Sequence, residues 1–246
     1  MNVLVCVTKT PDTTAKIGFV EQNTRFDQNG VQFIMNPYDE WYALVRALEL
    51  KEAQGGKVTL ISVGLADCDQ VIRKGLAIGA DEAVRIDMDP ADSFQVASEI
   101  AAYARSGEFD LIMTGKESIE SNGSEVGAMI AELMDWPFLS YASKMEMVGS
   151  TATVDLEIEG GEETVQVNTP FVISAAKGLA EQRIPNMRGI MMAKTKPLQV
   201  LPGSGAAARS SIVGYSLPKE KASVHLVDPE RMDELVRLLK EEAKVL

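Results

Sequence analysis

Short runs of apolar residues alternate with helical patterns along most of the chain, and this alternation limits the folds open to it. The runs are Val3–Val7, Val58–Val63, Ala83–Ile86, Leu111–Thr114 and Phe171–Ala175. Runs with little polar alternation are typical of strands that helices cover on both faces. The pattern therefore predicts an α/β fold, a parallel doubly wound sheet of about five strands flanked by helices.

The segments between these runs carry helix signals. Asn36 is a good N-cap and Pro37 suits the first helical position. One apolar face follows at Trp41, Leu44, Val45 and Leu48, with the spacing of an amphipathic helix. Further helices are predicted over about Asp67–Ile78, Ser93–Arg105 and Ser124–Met134.

The last third of the chain departs from this pattern. Thr151–Asn168 alternates on both sides of Gly160-Gly161, which predicts an added β-hairpin. Pro202–Ala208 is typical of a linker, and a final helix is predicted from Asp228 as cap. We expect residues 1–200 to form a nucleotide-binding α/β domain, and residues 201–246 to form a C-terminal extension of linker and helix.

Composition excludes several classes of partner. The net charge of −12 argues against nucleic acid and against an anionic membrane surface. No apolar run approaches the roughly 20 residues that span a bilayer, so we expect no membrane insertion. The start of the chain, MNVLVCV, is typical of a strand rather than a signal peptide. Cys6 and Cys68 form no CxxC pair, and a cytoplasmic location is expected.

The sequence lacks the usual signs of catalysis. His225 is the one histidine, which argues against catalytic triads and histidine metal sites. Neither GxGxxG nor GxxxxGK[ST] is present, and no carboxylate spacing indicates an acid/base pair. We therefore expect no catalytic residues, no metal site and no self-sufficient enzyme.

A ligand site is expected where the parallel strands end, because open sheets bind ligands beyond their carboxyl ends. Three segments fall there: Cys6–Lys9, Val63-Gly64 and Gly115–Gly127. In the third, Gly115 and Gly123 permit close backbone approach. That segment also enters a helix N-terminus, whose N–H groups and dipole favour a phosphate. The three segments together predict a nucleotide site.

A basic and methionine-rich segment lies at about 178–196, in a chain that is otherwise acidic. Its charges are Arg183, Arg188, Lys194 and Lys196, set among Met187, Ile190, Met191 and Met192. Flexible methionines repack against varied surfaces and suit a docking site. The alternative is a solvated loop whose methionines fold inward over the sheet edge, and the residues alone leave both open.

A family resemblance follows from motifs that extend in order over nearly 200 residues of the chain. They are VLVCVTKTPDT, FIMNPYDEW, IRKGLAIGADEAVRID, LIMTGKESIESNGSEVG, Asp135-Trp136-Pro137, EIEGGEETVQVNTP and RIPNMRGIMMAKTKP. In this order they resemble the β subunits of the electron transfer flavoprotein family.

The resemblance implies a function without implying an enzyme. A β subunit pairs with an α subunit, and the heterodimer uses FAD, held mainly by the α subunit. Electrons pass from acyl-CoA or related dehydrogenases, as in fatty acid oxidation, to electron transfer flavoprotein–quinone oxidoreductase. The C-terminal helix is then expected to pack on the α subunit.

The resemblance also implies site residues. An AMP, bound for structure, would contact Cys6, Asn36, Pro37, Tyr38, Asp39, Val63 and the loop residues Gly115, Ser121, Asn122, Gly123, Ser124, Glu125 and Val126. Its phosphate would lie on the N–H groups of Ser124, Glu125 and Val126. Thr13 would lie near the flavin, where some relatives place an aromatic residue. Met187 would be the apolar anchor of a recognition loop, with Arg188, Ile190 and Met191 beside it.

Two departures from the family pattern leave alternatives open. Glu120-Ser121-Asn122 replaces an Asp-rich stretch, and Glu125 replaces a more usual glutamine. One alternative is a bifurcating, NADH-oxidising flavoprotein that holds a second FAD in place of AMP. A third hypothesis, from another class, is an adenine-nucleotide sensor similar to universal stress proteins.

Overall fold

A computed structural model describes residues 1–119, 121–219 and 223–246 and divides them into two compact units, Met1–Gly214 and Tyr215–Leu246. The strands are β1 Asn2–Cys6, β2 Lys9–Pro11, β3 Phe19–Val20, β4 Arg25–Phe26, β5 Phe33–Met35, β6 Lys57–Val63, β7 Glu82–Asp87, β8 Leu111–Gly115, β9 Phe138–Val148, β10 Thr151–Ile158, β11 Gly161–Asn168, β12 Phe171–Ala175 and β13 Leu198–Pro202. The helices are α1 Asp39–Gln54, α2 Asp69–Ile78, α3 Ser93–Arg105, α4 Val126–Met134, α5 Met187–Ala193 and α6 Met232–Arg237.

The main sheet confirms the predicted fold class. In the described part of the first unit its order is β11-β10-β9-β12-β8-β1-β6-β7-β13. The seven strands from β9 to β13 in that order pair in parallel, and β10 and β11 join them as an antiparallel hairpin. The sheet is wider than the expected five parallel strands because β9 and β13, at or near its edges, carry no continuous apolar run.

Alternate residues of the central strands bury opposite faces of the sheet, as the two-residue period of a strand requires. Val3 and Val5 pack with α1 and α2 on one face. Leu4 and Cys6 pack with α3 and α4 on the other. All four positions are buried, so the strands are covered on both faces as their sequence predicts.

The start of α1 differs from the prediction. Asn36 was expected to cap it and Pro37 to be its first residue, but the helix begins at Asp39 with Tyr38 at the N-cap position. The Asn36 carboxamide instead accepts a hydrogen bond from Tyr38 N (3.0 Å) and donates to Glu117 O (3.3 Å). Asn36 thus joins the approach to α1 to the loop after β8, and this tertiary contact takes precedence over capping.

The second unit, taken by itself, contains one helical segment among its described residues, 215–219 and 223–246. The segment runs through α6 and continues as a π-helical turn over Leu238–Glu242. It begins at Met232 rather than at Asp228, because the Asp228 side chain accepts from Glu230 N (3.0 Å) and forms a turn instead of a cap. Met232 and Val236 are more than half exposed. Among the described residues of both units, no helix is long and apolar enough to cross a bilayer.

Candidate functional site

A cavity of about 650 Å³ lies at the carboxyl edge of the main sheet. Its walls come from the loops that follow β1, β6, β7 and β8, and from Ser174 on β12. β1 has β6 on one side and β8 on the other, so the chain reverses its direction of winding there. A ligand crevice is expected at such a reversal, and the cavity has the size of sites that hold small ligands and cofactors.

Many of the residues expected to bind the nucleotide meet in this cavity. They are Cys6, Val63, Gly115, Ser121, Gly123, Ser124, Glu125 and Val126. Three chain segments far apart in sequence therefore converge as their strand-end positions predict. Which of these residues contact a ligand stays a prediction, since the geometry shows only that they share one cavity.

The loop after β8 is folded by its own hydrogen bonds. Ser118 N donates to Gly123 O (3.0 Å), and Asn122 N donates to Ser118 O (2.7 Å). Asn122 has a φ of 51°, a left-handed conformation that asparagine tolerates well. Asn122 does not line the cavity, whereas Ser121 and Gly123 on either side of it do. Glu120, one of the departures from the family pattern, lies outside the described residues.

The N-terminus of α4 opens on the cavity. Glu125 occupies the N-cap position, but its side chain makes no capping hydrogen bond. The N–H groups of the first turn are therefore available to an anion. The expected helix start at Ser124 is two residues early, yet the Ser124–Val126 segment still lines the cavity.

Thr114 adds a polar group to the cavity that the sequence did not single out. It is buried, lines the cavity, and its Oγ1 has no hydrogen-bond partner among the described residues. A Cβ at Gly127 would come within 2.9 Å of this oxygen. Buried hydroxyls are normally hydrogen-bonded, so an unpaired one beside a helix N-terminus indicates a place for a polar ligand.

The charges around the cavity are mainly negative. The basic lining residues are Lys9, Arg25 and Lys116, against the acidic residues Glu40, Asp67, Asp89, Asp92, Glu117 and Glu125. Lys9 is paired with Asp67. Asp92 accepts hydrogen bonds from Gln95 N and Ser210 N, which hold its pKa below the usual value. Within the ranges that the structure describes, no cation pairs with Glu125.

The Asn36–Asp39 segment does not line the large cavity. Tyr38 and Asp39 border a smaller recess of about 230 Å³ with Tyr42, Lys116, Glu117, Ile119 and Lys177. Asn36 is fully buried and Pro37 accepts a hydrogen bond from Gln182. This segment packs behind the loop that forms the cavity wall, so in this arrangement it supports the loop.

The remaining predicted residues lie elsewhere on the first unit. Thr13 is exposed in a turn where Asp12 accepts hydrogen bonds from Thr14 N (2.9 Å) and Thr14 Oγ1 (2.6 Å). Met187, Arg188, Ile190 and Met191 lie on α5, a helix that the irregular pattern of this segment did not predict. Met187 and Met191 are 74% and 69% exposed, so the alternative of inward-folded methionines is wrong.

Some cavity residues were missed, although a signal for them existed. Thr114 and Ser174 are polar residues near the carboxyl ends of β8 and β12. Small polar residues at those ends can be found by the strand-end rule alone. Glu40 could not be found by that rule, because it lies on α1. Its carboxylate accepts hydrogen bonds from Thr8 N (2.8 Å) and Thr8 Oγ1 (2.6 Å) across the fold.

Neither cysteine nor any acidic cluster indicates reactive chemistry. Burial raises the pKa of the Cys6 thiol, and the charge of Glu40 adds to this effect. Burial also raises the pKa of Cys68, so both stay in the unreactive thiol form. Among the described residues, no group of three His, Cys, Asp or Glu side chains is placed to hold a metal ion.

Taken together, the sheet, its reversal at β1 and the cavity there define an α/β protein with a ligand-sized cavity at the switch point of its sheet. The comparisons with known proteins specify the family. The electron transfer flavoprotein domain model matches residues 24–204. Proteins called electron transfer flavoprotein subunit beta match at 35% identity in Bacillus subtilis and 32% in Homo sapiens, over 100% of this chain and 100% and 99% of theirs. One from Syntrophomonas wolfei is 33% identical over 94% of this chain and 91% of its own length.

The chain belongs to the electron transfer flavoprotein family, as a beta-type subunit. The resemblance expected from the motifs is thereby confirmed. The hypothesis of a sensor similar to universal stress proteins is wrong, because the matches run over the full length of another family.

Asp39, in the segment behind the cavity wall, gives the stability of the fold a pH dependence. Its burial raises the pKa to about 6 from 3.8; the charge of Glu117 adds to this, and Lys116 opposes it. Since the folded state then binds more protons than the unfolded state between these values, stability falls as pH rises through that window.

We therefore expect Asp39→Asn to be more stable than the wild type at about pH 7.5, and the difference to vanish near about pH 4. Urea denaturation at both pH values measures this. Asp12→Asn is the control, and its effect on stability should have the opposite sign. Hydrogen bonds from Thr14 lower the pKa of Asp12, so this variant should be less stable than the wild type only above the acidic range. A neutral or destabilising effect of Asp39→Asn at about pH 7.5 would contradict the expectation.

Proposed function

We propose that this chain is the β subunit of a heterodimeric electron transfer flavoprotein. It pairs with an α subunit and carries electrons from acyl-CoA or related dehydrogenases, by way of FAD, to electron transfer flavoprotein–quinone oxidoreductase. The observation that carries the proposal is family membership over the full chain, joined to a cavity at the reversal point of the sheet. The location of such a carrier is proposed to be cytoplasmic.

FAD supplies the redox chemistry when it is bound, and the protein supplies position and environment. In this proposal the α subunit holds most of the flavin, and this chain contributes at the border between subunits. Thr13 lies on an exposed turn and is the residue that we place nearest the flavin. Its turn is stiffened by the Asp12–Thr14 hydrogen bonds, so the position is defined before the partner arrives.

AMP is the nucleotide that we assign to the cavity, in a structural role. Two features support it. The first turn of α4 is available to a phosphate, and the Thr114 hydroxyl at the same place has no hydrogen-bond partner in the part of the chain that the structure describes. Gly127 keeps that corner open, since a Cβ there would come 2.9 Å from both Thr114 Oγ1 and the Phe138 ring. The residues present therefore fit a phosphate-bearing ligand.

The apolar surfaces on the two units are assigned to partners. On the second unit, Met232 and Val236 are exposed along α6, and we propose that this helix packs on the α subunit. On the first unit, α5 exposes Met187, Ile190 and Met191 beside Arg188. We propose that this helix is the recognition element for dehydrogenases, with Met187 as its anchor.

Co-expression with a neighbouring α subunit tests the central proposal. We expect a yellow heterodimer that releases one FAD and one AMP on denaturation, identified by mass spectrometry. A colourless monomer that binds no α subunit would refute the assignment. Release of two FAD and no AMP would instead establish the bifurcating alternative. The reason to test for it is the Glu125 carboxylate, which lines the cavity and pairs with no cation among the described residues.

Thr114→Val tests the phosphate assignment. The exchange keeps the shape and removes the hydroxyl, so AMP should bind roughly tenfold more weakly for the loss of one hydrogen bond. Isothermal titration of AMP into the nucleotide-free heterodimer measures the change. Thr10→Val is the matched control, because Thr10 also buries a hydroxyl that has no partner among residues 1–119, 121–219 and 223–246, but it does not line the cavity. Equal AMP affinity in both variants would rule out the Thr114 contact.

Met187→Ala tests the docking assignment. Truncation of a central apolar anchor should slow electron acceptance from an acyl-CoA dehydrogenase by about tenfold or more, at unchanged flavin content. Stopped-flow reduction of the heterodimer measures the rate. Val148→Ala, at a position 82% exposed on β9, is the control for loss of an exposed apolar group. Equal rates for Met187→Ala and the wild type would dispose of this role.

A further inference from the structure

The docking helix α5 is too short to be stable by itself. It spans only Met187–Ala193, whereas isolated helices need roughly 12 to 15 residues to be even marginally stable in water. Its first turn is capped by Asn186, whose Oδ1 accepts from Gly189 N (2.8 Å). Of its side chains only that of Ala193 is buried, so little hydrophobic burial holds the helix. Other contacts must fix it on the domain.

One such contact is the close approach of α5 to α2. A Cβ added at Gly189 would lie 2.4 Å from the backbone oxygen of Ala77. Only glycine therefore allows the two helices to meet at this distance. The contact fixes the distance between the helices, but a single point of contact leaves the direction of α5 undetermined.

Two cationic side chains fix that direction. One donates hydrogen bonds from α2 to the end of α5, and the other donates from the end of α5 back to α2. Arg73 on α2 donates from Nη1 to Ala193 O and Lys196 O, both at 2.7 Å. Lys196, just after α5, donates from Nζ to Leu76 O (2.9 Å) and Ala80 O (2.5 Å). The accepting groups lie at helix C-terminal ends, where carbonyls lack intrahelical donors and the dipole favours a positive charge.

The entry to α5 is held from α1. Trp41 Nε1 donates to Arg183 O (3.1 Å), and the Arg183 guanidinium pairs with Glu52 at 2.6 Å. The segment is therefore fastened before and after the helix, while Ile184, Met187 and Met191 between those points are exposed. This arrangement combines a fixed base with a free apolar surface.

We propose that Arg73 and Lys196 are positioning residues that hold α5 on α2 in the orientation that presents Met187 and Met191 to partner proteins. The inference rests on the proposed docking function of α5. Neither residue touches the partner in this account. Each acts through the backbone of the docking helix, so its loss leaves the apolar contacts present but no longer pre-organised.

Arg73→Met and Lys196→Met, each in the complete heterodimer, test the proposal. Each change removes the donors and keeps much of the apolar stem. The assay uses an acyl-CoA dehydrogenase that a straight-chain acyl-CoA has reduced. We expect its KM for the flavoprotein to rise roughly fivefold, because α5 is in the binding orientation in a smaller fraction of the molecules. kcat and flavin content should stay unchanged. Hydrogen exchange of the 190–196 amides should become about tenfold faster, as local opening becomes easier.

Three further variants separate positioning from general stability. Arg46→Met is the matched control, because Arg46 also donates to a backbone oxygen, that of Met145, but far from α5 in sequence. Arg73→Lys should restore part of the wild-type KM, since it keeps a cationic donor. Gly189→Ala should raise KM even though alanine favours helix more than glycine, because its methyl group displaces α5 from Ala77.

The outcomes differ for the proposed positioning by Arg73 and Lys196 and for the docking function itself. A rise in KM for both Met variants and Gly189→Ala, with Arg46→Met like the wild type, supports the proposal. If Arg73→Met and Lys196→Met show the same KM and the same hydrogen exchange as Arg46→Met, the positioning role is wrong. The docking function still stands in that case if Met187→Ala slows reduction. If Met187→Ala also leaves reduction unchanged, the docking function itself has failed.

Discussion

Burial of the central strands on both faces is the constraint on which the rest of the structure depends. Val3, Leu4 and Val5 in β1 have no exposed surface, so helices must cover the sheet on both sides. Parallel strands joined by crossover helices meet this requirement. Such connections bring every strand's carboxyl end to one edge, and the reversal at β1 opens a crevice between the loops that leave them. The position of the candidate site thus follows from how the chain buries its apolar runs.

Helix α2 lies between the cavity and α5, the two regions of the first unit to which functions are proposed. Just before it, Asp67 and Cys68 line the cavity, and Asp69 in its first turn pairs with Arg85, which also donates to Gly64 O at 2.9 Å. At its other end, the carbonyls of Leu76 and Ala77 lie beneath the docking helix. One helix therefore borders both the cavity and α5.

The sequence predicted those features that depend on local pattern, and missed those that depend on contacts between distant residues. The five apolar runs became β1, β6, β7, β8 and β12, and the hairpin of Thr151–Asn168 formed as expected. β9 and β13 were missed because their residues are largely half-buried or exposed. Asn36 was taken for a helix cap because only the fold brings Glu117 O to its side chain. α5 has no amphipathic period of its own, since backbone-directed bonds from Arg73 and Lys196 hold it in place of a buried face.

The proposed phosphate site in this cavity depends more on neutral donors than on opposite charge. Carboxylates outnumber cations in its lining, and the Lys9 ammonium, which could meet a phosphate, is already paired with Asp67. Lys116 also lines the cavity. Beside it, the first N–H groups of α4 and the Thr114 hydroxyl are donors that act through fixed dipoles at short range. Such donors discriminate by position, because a dipole loses its effect within a few ångströms while a charge does not. Donors fixed in position therefore restrict where an anion could lie in this cavity, and this restriction is the physical content of the proposed phosphate site.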